Sequence, residues 1–315
     1  MSHKRSTGFR AGSRVKRVFP KVLILAAFLS LFSVLAVFYL RARDQSNSQR
    51  RELRELFENG SFESAFLKSA ELLAEQPLDS FLLTIHGFSA YQLAIAQINN
   101  FDTQKYINYA IWALRRALLL RENATDARIF YVLGKAYFYK GPKFADLTIK
   151  YLEKAKETLY WAADIPEYLG LSYASIGDYR SSVAAFANAL TGAGPFSAGP
   201  SDLLLLSIAR SYMALEEFEL AKAYLVHCLE ISRDSITRQT ARLLLGDVLF
   251  RIGDLHGAET EFLRVIEENG ENAEASFRLG ELYALEGDII RARAEWRRAV
   301  RIDPTHGPAR RRLNI

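Results

Sequence analysis

The sequence predicts an all-α protein: a solenoid of about seven helical hairpins preceded by one transmembrane helix. Three observations predict it. Residues 273–306 place apolar and small side chains (Leu279, Gly280, Tyr283, then Ala292, Trp296, Ala299) at spacings of three and four on either side of Gly287-Asp288, the pattern of two antiparallel helices with facing seams. Thirty-four residues earlier, Leu245, Gly246, Gly253-Asp254, Ala258 and Phe262 stand in the same order at the same spacings. Residues 22–40 form a run of nineteen without a charge, which as a helix spans about 28 Å, close to the thickness of a bilayer's hydrocarbon core.

Within the last unit Gly280 and Ala292 are small where one helix approaches the other, and Tyr283 and Trp296 fill the space beside them, so that large and small residues interdigitate. Pro304, which cannot continue a helix, closes the unit. This period and pattern resemble the tetratricopeptide repeat (TPR), a helix-turn-helix unit of roughly 34 residues. The resemblance implies a right-handed superhelix that serves as a binding scaffold, its first helices lining a concave groove for a peptide or a partner's helix.

The solenoid is expected over residues 46–306. The first unit (46–79) has Leu53, Leu56 and Phe57, a turn at Asn59-Gly60, Ala65, Leu72 and a closing Pro77, with Leu53 in the place of the packing glycine. The second (80–124) matches at Gly87 and Ala117 but is about eleven residues longer between them. Either its first helix extends through Ile98 or a loop is inserted at 99–102, where Asp102 is the expected N-cap of the next helix. The third unit (127–162) carries Leu133, Gly134, Tyr137 and Gly141, two or so extra residues around Pro142, then Leu152 and Ala155. The fourth (163–194) has Leu169, Gly170, Tyr173, Gly177-Asp178, Phe186 and Ala189. A Gly- and Pro-rich loop, 191–201, separates it from the fifth (202–235), with Ala209, Tyr212, Ala221, Leu225 and Cys228, and two clean units follow at 239–272 and 273–306. Residues 307–315 read as a short basic tail. In it Leu313 and Ile315 cover part of the last seam, or the solenoid end stays open to a partner.

The formal charge is +5, yet residues 1–21 alone carry seven Lys or Arg and no acid, which leaves −2 for the remainder. Basicity belongs to the N-terminal tail, and nucleic acid is not an expected partner. The five histidines (His3, His86, His227, His256, His306) are scattered and there is one cysteine, Cys228, so neither a thiolate metal cluster nor a zinc motif is expected. Cys228 takes the small-residue place that Ala299 fills in the last unit, as a packed core thiol would. The chain lacks the nucleophile-elbow, Walker and dinucleotide motifs. A non-enzymatic protein without cofactor or metal is expected. Arg291, Arg297, Arg298 and Arg301 point away from the face holding Ala292, Trp296 and Ala299, as on a solvated helix surface.

Residues 38–41 offer no small-x-small cleavage site, so 22–40 reads as an uncleaved signal anchor rather than a signal peptide. Seven basic residues precede the span, and Arg41, Arg43, Arg50, Arg51 and Arg54 follow it. The asymmetry favours a cytoplasmic N-terminus, with the solenoid on the far, periplasmic or extracytoplasmic side of a single-pass inner membrane protein. The alternative keeps the solenoid facing the cytosol, as a receptor or assembly factor. Protein or peptide partners are expected in the groove. Its membrane-near end is read as aromatic, with Phe81, Ile85, Phe88, Tyr91, Tyr131, Lys135, Phe138, Tyr139 and Tyr168, and its far end as charged, with Leu243, Asp247, Arg251, Phe277, Arg278 and Glu281. The aromatic end is either open or filled by its own side chains. The groove places hold no Asn, so the carboxylate clamp of the best-known TPR grooves is not expected.

Overall fold

In five of the hairpins the chain enters the first helix through a short polar side chain that takes up free backbone N–H groups. Asp79 accepts from Phe81 and Leu82, Asp126 from Arg128, Ser201 from Leu204, Asp234 from Thr237 and Asn272 from Ala275. Asp178, Asp254 and Asp288 do the same at the starts of second helices. Such a cap contributes about 1 kcal/mol, and its repetition sets the hairpin boundaries along the chain.

The computed structural model describes residues 15–120, 126–158, 162–191 and 200–315, with side chains from residue 31 onward except residue 42. The helices pair in sequence: α1 (Val15–Glu58) with α2 (Phe62–Glu75), α3 (Ser80–Ile95) with α4 (Asn100–Leu120), and α5 (Ala127–Lys140) with α6 (Ala145–Glu157). Next come α7 (Ile165–Ser175) with α8 (Tyr179–Thr191), α9 (Asp202–Ala214) with α10 (Phe218–Ile231), α11 (Ser235–Arg251) with α12 (Leu255–Glu268), and α13 (Ala273–Leu285) with α14 (Ile289–Ile302). A short α15 (Gly307–Leu313) closes the array. No strand occurs among the described residues. From α1 to α13, successive first helices pack on one another, whereas no comparable packing joins successive second helices. The first helices therefore line the concave side.

In five units a glycine marks where the two helices cross. A Cβ built on Gly280 would lie 2.6 Å from the Trp296 ring and 3.1 Å from the Ala292 carbonyl oxygen. Gly246 meets Phe262, Gly170 meets Phe186, Gly134 meets Leu152 and Gly87 meets Leu114 in the same way. The partner stands sixteen residues on in three of these units, eighteen on in the third unit and twenty-seven on in the second. The inserted residues, two and eleven, thus lie at the turn end of the hairpins and leave the crossing intact. In the first unit the sizes are reversed: buried Leu53 holds the glycine place and buried Ser69 the aromatic one. Ser69 then has room for His86 of the next hairpin, 2.9 Å away and stacked on Phe66.

Several expectations are corrected. Asn99, not Asp102, starts α4: the Asn99 side chain accepts the Asp102 N–H at 2.8 Å and donates to the Asp102 carboxylate at 2.7 Å. The eleven extra residues lengthen both helices at their turn end, with a short connection through 96–99, rather than form a loop at 99–102. The two extra residues of the third unit are taken up at its turn, where a 3-10 turn, Pro142–Phe144, follows Gly141. Helix α11 starts at Ser235, not at residue 239, because Asp234 caps it. The predicted basic tail is largely helix α15, begun by the His306 ring accepting the Ala309 N–H, with Ala309 buried and Leu313 packed on the core while Ile315 stays exposed. Cys228 is buried, and its Sγ lies 3.4 Å from the Asp202 carbonyl oxygen.

Helix α1 continues through 41–45 into the first hairpin without a break. Among the described residues no helix is long and apolar enough to cross a membrane. The predicted span 22–40 includes residues 22–30, whose side chains lie outside those described. From Leu31 to Leu40 its large apolar side chains are exposed. Most of the basic tail (1–14), the ends of the second and third units (121–125, 159–161) and most of the Gly-Pro loop (192–199) also lie outside them.

Because Trp296 occupies the space a side chain at residue 280 would need, Gly280→Leu should destabilise the protein by about 1–3 kcal/mol. Thermal melting by circular dichroism checks this, and an unchanged midpoint would refute the assigned crossing.

A concave face filled at one end and open at the other

The first helices place their residues on the concave face in two groups. At the N-terminal end Ile85, Phe88 and Tyr91 of α3 are buried in the core, so they are not groove surface. Phe88 packs 6.2 Å from the Phe57 ring, and Phe81 is covered by the guanidinium groups of Arg50 and Arg54. The remaining predicted residues converge on one lysine. The Lys135 ammonium lies 2.6 Å from the Asp164 carboxylate, 3.1 Å from the Tyr131 hydroxyl and 4.5 Å from the centre of the Tyr168 ring. Tyr131 donates to the same carboxylate at 2.9 Å. Phe138 meets Tyr168 edge-on at 4.8 Å, and the Tyr139 and Tyr168 hydroxyls are 3.3 Å apart.

Burial opposes the charged form of Lys135, but the hydrogen bonds it donates to Asp164 and Tyr131 outweigh it and hold its pKa above the ordinary lysine value. Burial also pushes up the pKa values of Tyr91, Tyr131 and Tyr168, so all three stay neutral donors at physiological pH. Asp164 and the lysine satisfy one another across α5 and α7. Of the two readings left open by the sequence, the self-filled one describes this end: these side chains contact one another and staple successive hairpins.

At the other end, α9, α11 and α13 enclose an open cavity of about 490 Å³. Met213, Phe218, Phe250 and Phe277 supply its apolar lining, and Glu216, Asp247, Arg251, Arg278 and Glu281 its charges. Arg278 lies 2.7 Å from Glu274 and 3.4 Å from Asp247, while Arg312 of α15 donates to Glu281 at 2.8 Å. Arg251 and Glu216 are exposed on the rim. Asp247 is drawn inward, and burial, only partly offset by Arg278, raises its pKa to about 6.

Asp247, Arg251, Phe277, Arg278 and Glu281 were legible from repeat spacing. Met213, Glu216, Phe218 and Phe250 were not, although Glu216 left a signal. It has φ +61° at the turn where the next two units use Gly253 and Gly287, a backbone region that a side chain makes costly. An acidic residue kept there projects at the rim of the cavity.

Two outcomes follow. Tyr131→Ala with Phe138→Ala should lower stability by about 2–4 kcal/mol, since both side chains bridge α5 to α7; denaturant titration checks this, and unaltered stability would return them to the ligand surface. Asp247→Asn should melt higher than the wild type at pH 7. A carboxyl with a raised folded-state pKa favours the folded state most below its unfolded value near 4 and loses that contribution as pH rises through 6. The advantage of the amide should therefore shrink to nothing by pH 4.

Family comparisons agree with this geometry. The tetratricopeptide repeat family matches residues 204–235 and 243–306. No curated protein matches the chain by sequence. Among solved structures, YrrB, a TPR protein with an unusual peptide-binding site, superposes with a TM-score of 0.51 at 23% identity, over 65% of this chain and 100% of its own. The C-terminal part of a TPR repeat-containing protein from Cytophaga hutchinsonii gives 0.58 at 18%, over 84% and 100%. PilW, a widely conserved type IV pilus biogenesis factor, gives 0.56 at 18%, over 72% and 98%. At these identities the likeness is one of fold. The chain thus carries tetratricopeptide repeats over 204–235 and 243–306, within a longer array of hairpins built on the same crossing.

Proposed function

We propose that this protein is a membrane-anchored scaffold without catalytic activity, which holds a peptide segment of a partner protein in the C-terminal part of its concave groove. The observation that carries this is the cavity between α9, α11 and α13, which combines apolar side chains with an exposed cation, Arg251, and an exposed anion, Glu216, on its rim. Grooves of this kind take an extended or helical segment through a few apolar anchors, with charges fixing register. That YrrB is a TPR protein with a peptide-binding site and PilW a pilus biogenesis factor supports a role in binding or assembly. The anchor rests on the uncharged run 22–40 and on the exposed apolar side chains from Leu31 to Leu40. Orientation rests on the basic residues before that run, which favour retention of the N-terminus in the cytoplasm and an extracytoplasmic solenoid.

The binding reading is tested with the full chain in native membranes carrying a photo-crosslinking amino acid at position 250. Adducts should form with a distinct partner. Reversing both rim charges, Glu216→Arg with Arg251→Glu, should cut their yield about tenfold, equivalent to about 1.4 kcal/mol. An unchanged yield would sink the site. Orientation is tested separately: protease added to spheroplasts should digest the solenoid, and digestion only after lysis would favour the cytosol-facing alternative.

A further inference from the structure

The second hairpin differs from the others in one measurable way. From the start of the second helix to the residue that fills the crossing is seven positions in every other hairpin, as from Ile289 to Trp296 or from Leu255 to Phe262. In α4 it is fourteen, from Asn100 to Leu114. Beyond the crossing all the second helices run on for five or six residues. Helix α4 therefore has two extra turns, all at its N-terminal end, and the tip of this hairpin projects about 10 Å beyond its neighbours.

The extension carries large apolar side chains into solvent. Ile98 at the tip is fully exposed, and Phe101 is 81% exposed. Along the same helix Trp112 is 46% exposed and Leu119 85%. At 100° per residue Phe101, Trp112 and Leu119 fall within about 20° of one line, roughly 27 Å long. Flanking that line are Lys105, Arg115 and Arg116, the last stacked 4.9 Å over the Trp112 ring. The one acid of α4, Asp102, is tied to Asn99. This is the outer face of the solenoid, away from the concave groove.

We infer that this face of α4 is a second docking surface, whose occupant is an amphipathic helix of a partner protein, with apolar anchors at spacings of three and four and acidic flanking residues. The basic flanks complement such a helix. They oppose a second copy of this chain laid against itself, since an isologous contact would set like charges together. The proposal stands independently of the groove.

Panning a phage-displayed library of random 20-residue peptides against the full chain in detergent tests it, with counter-selection on a Phe101→Ser, Trp112→Ser, Leu119→Ser variant. Its altered side chains are all solvent-exposed, and equal melting of the two proteins is verified first. Enriched peptides should be net acidic with helical apolar spacing, and should bind the variant at least tenfold more weakly. Lys105→Glu with Arg116→Glu should weaken them further as salt is lowered. No enrichment, or peptides that bind the variant equally well, would overturn the inference. So would selective wild-type binding to vesicles containing anionic lipid, or a wild-type dimer in sedimentation that the variant loses.

Discussion

The array depends on one contact: the backbone of a first helix pressed against a large side chain of the second. At Gly280 and Trp296 the space a Cβ would need is already taken by the indole ring, which brings the two helices into close approach and fixes their register. The hairpin then presents a continuous seam to its neighbours. Where the contact changes, it changes in pairs. Leu53 faces the place of Ser69, and Ala209 the place of Leu225, so the combined volume stays near what the crossing can hold.

With the crossing fixed, additions are tolerated only where they do not disturb it. The second and third units accommodate eleven and two extra residues by lengthening helices at the turn end or adding a 3-10 turn. The same constraint explains the first unit, where a small serine at the aromatic place leaves a gap that His86 of the next hairpin fills. Burial lowers the pKa of this histidine. It therefore packs as a neutral ring at physiological pH and joins the first two hairpins without a buried charge.

The concave face is divided by the same logic of satisfaction. At the N-terminal end the central charges are paired: Lys135 has Asp164 and two tyrosines, and the aromatic rings have one another. At the C-terminal end Asp247 is held partly buried at a raised pKa and Glu216 sits in an unfavourable backbone region. Such unrelieved costs are more often found at binding surfaces than in structural staples.

What the sequence determined by itself was periodic: the hairpins, their crossing residues, the turns at Gly-Asp and the buried place of Cys228. These follow from local spacing and from glycine standing where only glycine fits, so a single chain displays them many times over. Helix starts were legible only to within a few residues, because Asn99 and Asp102, or Asp234 and its neighbours, are equally plausible caps until the backbone chooses one. The groove was half legible. Spacing identified which side chains of the first helices face inward, and Asp247, Arg251 and Glu281 do line the cavity. Whether a facing residue is open or consumed was decided only in three dimensions, because Tyr91, Lys135 and Tyr168 stand on three different helices. Their mutual satisfaction depends on distances between hairpins that no one-dimensional pattern encodes.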